Sequence, residues 1–310
     1  MEIGSRRTRN LDVAIVTMHI DEDPAVNRQR IITAVRETAR VHPRTRLIVF
    51  GELALGWFWH GERDGVPFDD TVKESTEYHE RIAEPAPGPT ANALGQVARE
   101  HDVYISYGFT ERDGERIYNS QALIAPDGSL LDVRRKQHLA SPMFTSGAEP
   151  PRVVVVDGSR VVTIICSDDN NPTIRKAVRR LNPDIVLQPL CDPWASWTAA
   201  APDRLHASYY CSALLLPNRV GGEPQPASRY RGFANIYTSY GKLLVRSVGR
   251  ECVLRTSIPI RSHRQPSWQA VHRLFCTLAF VLWAPVGQYA KLYTKLLRAL
   301  RSLRRNLSRS

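Results

Sequence analysis

Residues 160–182, RVVTIICSDDNNPTIRKAVRRLN, decide how this chain is read. Val161 to Ile165 form a short apolar run rich in β-branched side chains, the pattern of a buried strand. Asn170, Asn171 and Pro172 supply a turn and a helix start, and Ile174, Ala177, Val178 and Leu181 follow at helical spacing. Cys166 therefore falls at a strand-to-helix corner. Backbone amides and the positive end of a helix dipole at such a corner favour a thiolate. Cys166 is thus a candidate nucleophile, and the rest of the chain must supply what activates it.

Two other residues follow strand-like runs in the same way. Glu52 comes after LIVF, in GELALGWFW, and Lys136 sits in RRKQHL, just after the hairpin-like stretch LIAPDGSLLDV. In a sheet with aligned ends such residues gather along one edge, where α/β ligand sites form. Their chemistry is complementary. A carboxylate can take the thiol proton, an ammonium can stabilise an oxyanion, and a thiolate can attack a carbonyl or nitrile carbon.

With these residues in view the chain resembles the nitrilase, or carbon–nitrogen hydrolase, superfamily. That family uses a Glu–Lys–Cys triad in this order, here separated by 84 and 30 residues. RRKQHL is similar to its lysine motif and TIICSDDNNP to its cysteine motif, with LLPNRVG and GFANIYTSYGKLL as further matches across residues 11–260. The resemblance implies a four-layer α-β-β-α sandwich, with Glu52 as general base and acid, Cys166 as nucleophile, and Lys136 with the Ser167 amide on the oxyanion. It implies hydrolysis of a non-peptide carbon–nitrogen bond, in a small amide or nitrile-like substrate, through a cysteine thioester. It also favours a homo-oligomer, a dimer or larger. Two departures stand out. Gly51 replaces the proline of the glutamate motif. The second glutamate that many members carry after the lysine motif is absent from ASPMFTSGAEP, whose only acid is Glu149.

Candidate pocket residues are Trp57, Phe58, His138, Ser167, Asp168 and Trp194. The aromatics Trp57, Phe58, Trp59, Trp194 and Trp197 read equally well as core. A cysteine after a strand is more often a small buried hydrophobe, and Cys191, Cys211, Cys252 and Cys276, which lack the triad context, are read as packing residues.

Composition agrees with one enzyme domain. At 310 residues, with 43% apolar and 24% charged side chains, the chain suffices for one large α/β core. Five unpatterned cysteines argue against a disulfide framework and for a reducing, cytoplasmic setting. CxxC, HExxH, GxGxxG and GxxxxGK[ST] patterns are missing, so neither a metal nor a nucleotide cofactor is expected. The basic N-terminus, residues 1–10, lacks an apolar run of secretory-signal length.

Residues 261–310 differ in kind. They hold ten Lys and Arg and no acid, whereas the other 260 residues hold 32 basic and 31 acidic side chains, so nearly all of the net charge of +11 lies in this tail. Its 17 uncharged residues, LFCTLAFVLWAPVGQYA, would reach about 25 Å as a helix, short of a bilayer core of roughly 30 Å. Leu292, Leu296, Leu300, Leu303 and Leu307 then share one face beside basic residues. Such a helix can lie on an anionic membrane surface, which would tether residues 270–307 to the inner face of the membrane. The competing reading is a helix that covers a sheet edge or an oligomer partner. No motif points to specific nucleic-acid binding. Two further functions remain open alongside hydrolysis: an N-acyltransferase that passes the acyl group from Cys166 to an amine, and a catalytically degenerate membrane-attached scaffold.

Overall fold

The computed structural model of the chain describes residues 9–59, 68–193, 200–223 and 229–260. The expectations placed on residues 1–8, on Trp194 and Trp197, and on the basic tail from residue 261 lie outside them.

The first half of the chain runs β1 (Arg9–Thr17), α1 (Pro24–Val41), β2 (Leu47–Val49), α2 (Phe68–Ile82), α3 (Pro89–His101), β3 (Tyr104–Asp113), β4 (Arg116–Ile124) and β5 (Leu130–Arg135). The second half runs β6 (Val154–Val156), β7 (Ser159–Thr163), α4 (Pro172–Leu181), β8 (Ile185–Leu187), α5 (Ala200–Tyr210), β9 (Ala213–Leu216), β10 (Val220–Gly222), β11 (Arg229–Arg231), β12 (Ala234–Tyr237), β13 (Leu243–Ser247) and β14 (Cys252–Ile260). Among the described residues these strands build two six-stranded sheets, in the orders β14-β1-β2-β3-β4-β5 and β13-β12-β9-β8-β7-β6, and a ribbon of β10 and β11. Each large sheet has a parallel centre, β1-β2-β3 in one and β7-β8-β9 in the other, extended by antiparallel strands.

The layering follows from the period of the strands. Alternate side chains leave opposite faces, so Leu11, Val13 and Ile15 of β1 meet Val161 of β7, Ile185 and Leu187 of β8 and Leu215 of β9 between the sheets. Ala14 and Val16 of the same strand turn the other way, onto Ile31 and Val35 of α1 and Leu94 and Val97 of α3. On the far side of the second sheet Val162, Val186 and Leu214 are also buried, where α5 runs against β9 and packs with α4. The result is the expected four-layer α-β-β-α sandwich. Its central strands read as continuous apolar runs because both faces are covered. Each fully buried Leu, Ile or Val contributes about 1.5–3 kcal/mol, and Leu47, Ile48 and Val49 are all wholly enclosed.

Local chemistry sets the boundaries. Asp23 caps α1 by accepting the Ala25 amide at 2.8 Å, with Pro24 at the first helical position. Asn171 does the same for α4 through Thr173, followed by Pro172. β6 and β7 join through Asp157 and Gly158, at φ +46° and +70°, a two-residue turn whose left-handed pair suits a tight hairpin. Thr90 has a side chain typical of helix caps, but it lies inside α3, whose cap is Gly88. The Thr90 amide and hydroxyl instead donate to Glu84. The helix α2 escaped notice because its buried positions Thr71, Ser75, Tyr78 and His79 are mostly polar, which hides the helical period. No helix among the described residues is long and apolar enough to cross a membrane.

Candidate active site

The fold brings the ends of β2, β5 and β7 to one place. The chain leaves β2 through a tight turn in which Leu53 adopts φ +48°, a left-handed conformation that leucine rarely takes. Gly108 on β3 makes room for this turn, since a Cβ there would come within 2.4 Å of the Leu53 nitrogen. The turn aims the Glu52 carboxylate inward, where it is 1% exposed. One oxygen accepts the Lys136 Nζ at 2.6 Å and the Asn119 Nδ2 at 2.7 Å, and the other accepts the Cys191 amide at 2.9 Å. Lys136 follows β5 directly. Its backbone is pinned by Asn119, whose carbonyl accepts the Lys136 amide at 2.8 Å, and its side chain is 2% exposed. Burial opposes the charge on Lys136, but the carboxylate of Glu52 and the neighbouring Cys166 outweigh it and hold the ammonium above the usual lysine range.

The second corner carries the thiol. The Cys166 amide donates to the Pro189 carbonyl at 3.0 Å, its carbonyl accepts Gln188 Nε2 at 3.1 Å, and its φ is +44°. Burial pushes the thiol well above its ordinary range, and the Glu52 carboxylate pushes it further; Lys136 and the Cys191 amide pull the other way without prevailing. This corrects the expectation of a dipole-stabilised thiolate. The residues after β7 do not enter a helix directly. They make a one-turn 3-10 segment, Cys166–Asn170, and α4 begins only at Pro172. Cys166 is partly buried beside a carboxylate, and both effects favour the neutral thiol over the thiolate.

Asp168 ties the two loops together. Its side chain is fully buried, with one oxygen accepting the amides of Gln137 (2.9 Å) and His138 (2.7 Å) and the other accepting the amide of Ile165 at 3.0 Å. It holds the loop after Lys136 against the loop that carries Cys166, and the three bonds it accepts all come from backbone amides. Ser167 adds a second tie, its hydroxyl donating to the His138 carbonyl at 2.5 Å.

The remaining pocket candidates separate. Phe58 packs with Trp59, Leu53, Met143 and Phe144 in an apolar cluster beside the Glu52 turn. Trp57 turns away into the core between helices and sheet, with its indole N–H on the Ile20 carbonyl at 3.0 Å. His138 is exposed and enters the site only through its backbone. Trp194 is outside the described residues. Glu149 lies at the surface, 73% exposed and paired with Arg152, so the one acid of the ASPMFTSGAEP stretch does not face Cys166. Sequence reasoning missed Asn119, the backbone amide of Cys191, and the pair Arg219 and Glu223. Asn119 left a signal, since Asn119, Ser120 and Gln121 form a polar run inside an otherwise apolar, buried strand. Cys191 left none, because its contribution comes from the main chain.

The arrangement can withhold a proton on sulfur, offer a carboxylate to accept it, and present a fixed ammonium beside the same atom. The amide of Ser167 precedes the first hydrogen bond of the 3-10 turn, which runs from the Asp168 amide to the Ile165 carbonyl at 2.9 Å, so it has no partner within the turn. Such a set suits addition to a carbonyl-like carbon.

Comparison with known proteins agrees with this geometry. Residues 12–251 match the carbon-nitrogen hydrolase family, and the chain belongs to that family. It is 31% identical over 169 residues to an (R)-stereoselective amidase of Pseudomonas, an alignment that covers 54% of this chain and 55% of the relative. It is 25% identical over 258 residues to a cyanide hydratase of Stereum hirsutum, covering 70% of this chain and 66% of the relative. The chain thus spans about half to two thirds of the length of these relatives. A solved nitrilase-superfamily structure from Saccharomyces cerevisiae superposes with a TM-score of 0.69 at 18% identity, covering 88% of this chain and 96% of the other, which speaks for the fold.

Proposed function

We propose that this chain hydrolyses a non-peptide carbon–nitrogen bond, in a small amide, through a thioester on Cys166. The observation that carries the reading is the direct 2.6 Å bond between the buried Glu52 and Lys136, with the neutral Cys166 thiol inside the electrostatic reach of both. Family membership and the amidase relative support the same class of reaction.

In the first step Glu52 takes the thiol proton as sulfur attacks the amide carbon, so the S–C bond forms as the carbonyl π pair moves onto oxygen. Lys136 and the Ser167 amide face that oxyanion. Donors of this kind contribute roughly 10²–10³-fold in rate each. As the oxyanion collapses, the C–N bond breaks and Glu52 returns its proton to the departing amine. A water then loses a proton to Glu52 and attacks the thioester, the C–S bond breaks, and the thiol is restored with the release of acid. Glu52 thus acts once as base and acid in each half-reaction, a role that typically supplies 10²–10⁴-fold. Because the resting thiol is held protonated, proton removal belongs to the attack itself, and the carboxylate is indispensable.

The test is release of ammonia or amine from a panel of small aliphatic and aromatic amides, with the acyl product identified by mass spectrometry. Turnover by the wild type and none by Cys166→Ala or Glu52→Gln is the expected result. Equal release by all three proteins would sink the proposal. An amine acceptor added to the same assay separates hydrolysis from acyl transfer.

A further inference from the structure

Behind the Glu52 turn lies a second buried ion pair that the mechanism above does not use. Arg219 follows β9, and its side chain and that of Glu223 are each 2% exposed. One guanidinium nitrogen of Arg219 donates to three backbone carbonyls of the turn: Glu52 at 3.0 Å, Leu53 at 2.7 Å and Gly56 at 3.1 Å. The other terminal nitrogen meets Glu223. Glu223 in turn accepts two amides further along the same segment, those of Phe58 at 2.7 Å and Trp59 at 3.0 Å. The Tyr230 hydroxyl donates to Glu223 at 3.2 Å and lies 3.3 Å from the Cys191 sulfur, and its ring stacks against Arg219 at 5.1 Å. Cys191 closes the circuit, because its amide holds the far oxygen of Glu52.

We infer that Arg219 and Glu223 are a positioning pair for the reaction: a buried clamp that holds the backbone of Glu52 with one member and the aromatic segment Phe58–Trp59 with the other. The inference rests on the hydrolase reading above. Leu53 sits in the left-handed region, so the turn is held by outside ties rather than by its own preference. A buried pair of this kind is a weak source of stability, because desolvation offsets most of the attraction. What it provides here is geometry. Among the described residues every backbone bond it makes falls within residues 52–59, the stretch that carries Glu52 and the aromatics Phe58 and Trp59. A lysine at position 219 cannot span three carbonyls and a carboxylate at once. A glutamine at position 223 keeps one acceptor but turns an amide N–H₂ toward either the Phe58 or the Trp59 amide.

The experiment uses the full chain as wild type, Arg219→Lys, Glu223→Gln and Tyr230→Phe, with the exposed-pair variant Arg36→Ala as control. Iodoacetamide labelling of Cys166 is followed by peptide mass spectrometry across pH, alongside kcat and KM on the best amide found. Far-UV circular dichroism and thermal melting report folding. The clamp predicts folded Arg219→Lys and Glu223→Gln proteins whose kcat falls at least tenfold and whose pH midpoint for Cys166 labelling moves, with Arg36→Ala unchanged. A merely structural pair would lower the melting temperature and leave the labelling midpoint and kcat alone, which would overturn the inference. Should the first two variants fail to fold, Tyr230→Phe decides. It removes one hydroxyl from the circuit, and a wild-type kcat and midpoint there would equally overturn it. If wild-type Cys166 labels no faster than Cys211, the hydrolase reading falls and takes the clamp with it. If wild type reacts selectively and the variants match it, the clamp alone falls.

Discussion

The two corners that meet in this site are fixed by opposite means. At the Cys166 corner a buried carboxylate, Asp168, collects backbone amides from Ile165, Gln137 and His138. At the Glu52 corner a buried guanidinium, Arg219, collects backbone carbonyls from Glu52, Leu53 and Gly56. Each corner carries a residue in the left-handed region, Cys166 in one and Leu53 in the other. The sign of each clamp follows from which backbone groups the turn leaves unsatisfied. Between the two clamps lie the reacting groups, the Cys166 sulfur and the Glu52 carboxylate, close enough that the carboxylate disfavours charge on sulfur.

This comparison can be broken in graded steps. The largest effect is expected at the reacting atoms. Glu52→Gln should lower kcat by about 10³-fold or more, since it removes the base that the neutral thiol requires, while leaving the fold in place. Steady-state kinetics beside circular dichroism checks this. Next is the carboxylate corner. Asp168→Asn turns an amide N–H₂ toward at least one of three buried backbone amides, and an unsatisfied buried donor costs about 1–3 kcal/mol. We expect a melting temperature lower by roughly 3–10 °C and slower labelling of Cys166. A variant as stable as wild type would show that the corner is held by other bonds.

A third test uses pH. The folded-state pKa of Cys166 is raised by burial and by Glu52, and that of Lys136 is also raised. Above the ordinary thiol range the native state therefore binds more protons than the unfolded chain, and stability falls as pH rises from about 8.5 upward. Cys166→Ala removes one source of that decline. The difference in unfolding free energy between wild type and Cys166→Ala should thus shrink or reverse between pH 8 and pH 10 in urea titrations.

The smallest effect is expected at Asp203 on α5, a carboxylate that among the described residues shows none of the backbone ties of Asp168. Burial pushes it up to about 7, with Asp169 and Asp192 adding to the rise against the pull of His206. A raised acid is protonated in the native state below pH 7 and loses that advantage as pH rises. Asp203→Asn should therefore raise the melting temperature by a degree or two at pH 8 and by less at pH 5. Opposite signs for Asp168→Asn and Asp203→Asn at pH 8 would sharpen the contrast between a carboxylate that collects amides and one that does not.

Much of this was legible in the chain. The apolar runs ending at Phe50 and Ile165, and the hairpin before Lys136, placed all three candidate catalytic side chains at strand ends, because strand period and turn chemistry are local properties. The Asn171–Pro172 start of α4 was readable for the same reason. What could not be read depends on contacts distant in sequence or on main-chain atoms. Arg219 reaches a turn some 165 residues away, and although LLPNRVG matches the family, nothing local shows which backbone its side chain holds. Cys191 serves through its amide, which any residue would provide. At Cys166 local signals place a helix start near the thiol, whereas the structure puts a 3-10 turn there, and burial with the Glu52 carboxylate raises the thiol pKa. The length of that turn and the distance to Glu52 exist only in three dimensions.

The measurement that bears most directly on the central claim is the pH dependence of Cys166 labelling by iodoacetamide, in wild type, Glu52→Gln and Lys136→Ala. A base-activated neutral thiol predicts selective labelling of Cys166 near neutral pH in wild type. In Glu52→Gln the reaction should be slowed at neutral pH, with its dependence moved toward that of a bare thiolate, and in Lys136→Ala it should need higher pH. Labelling of Cys166 at the rate of Cys191 and Cys211, unchanged in both variants, would contradict it.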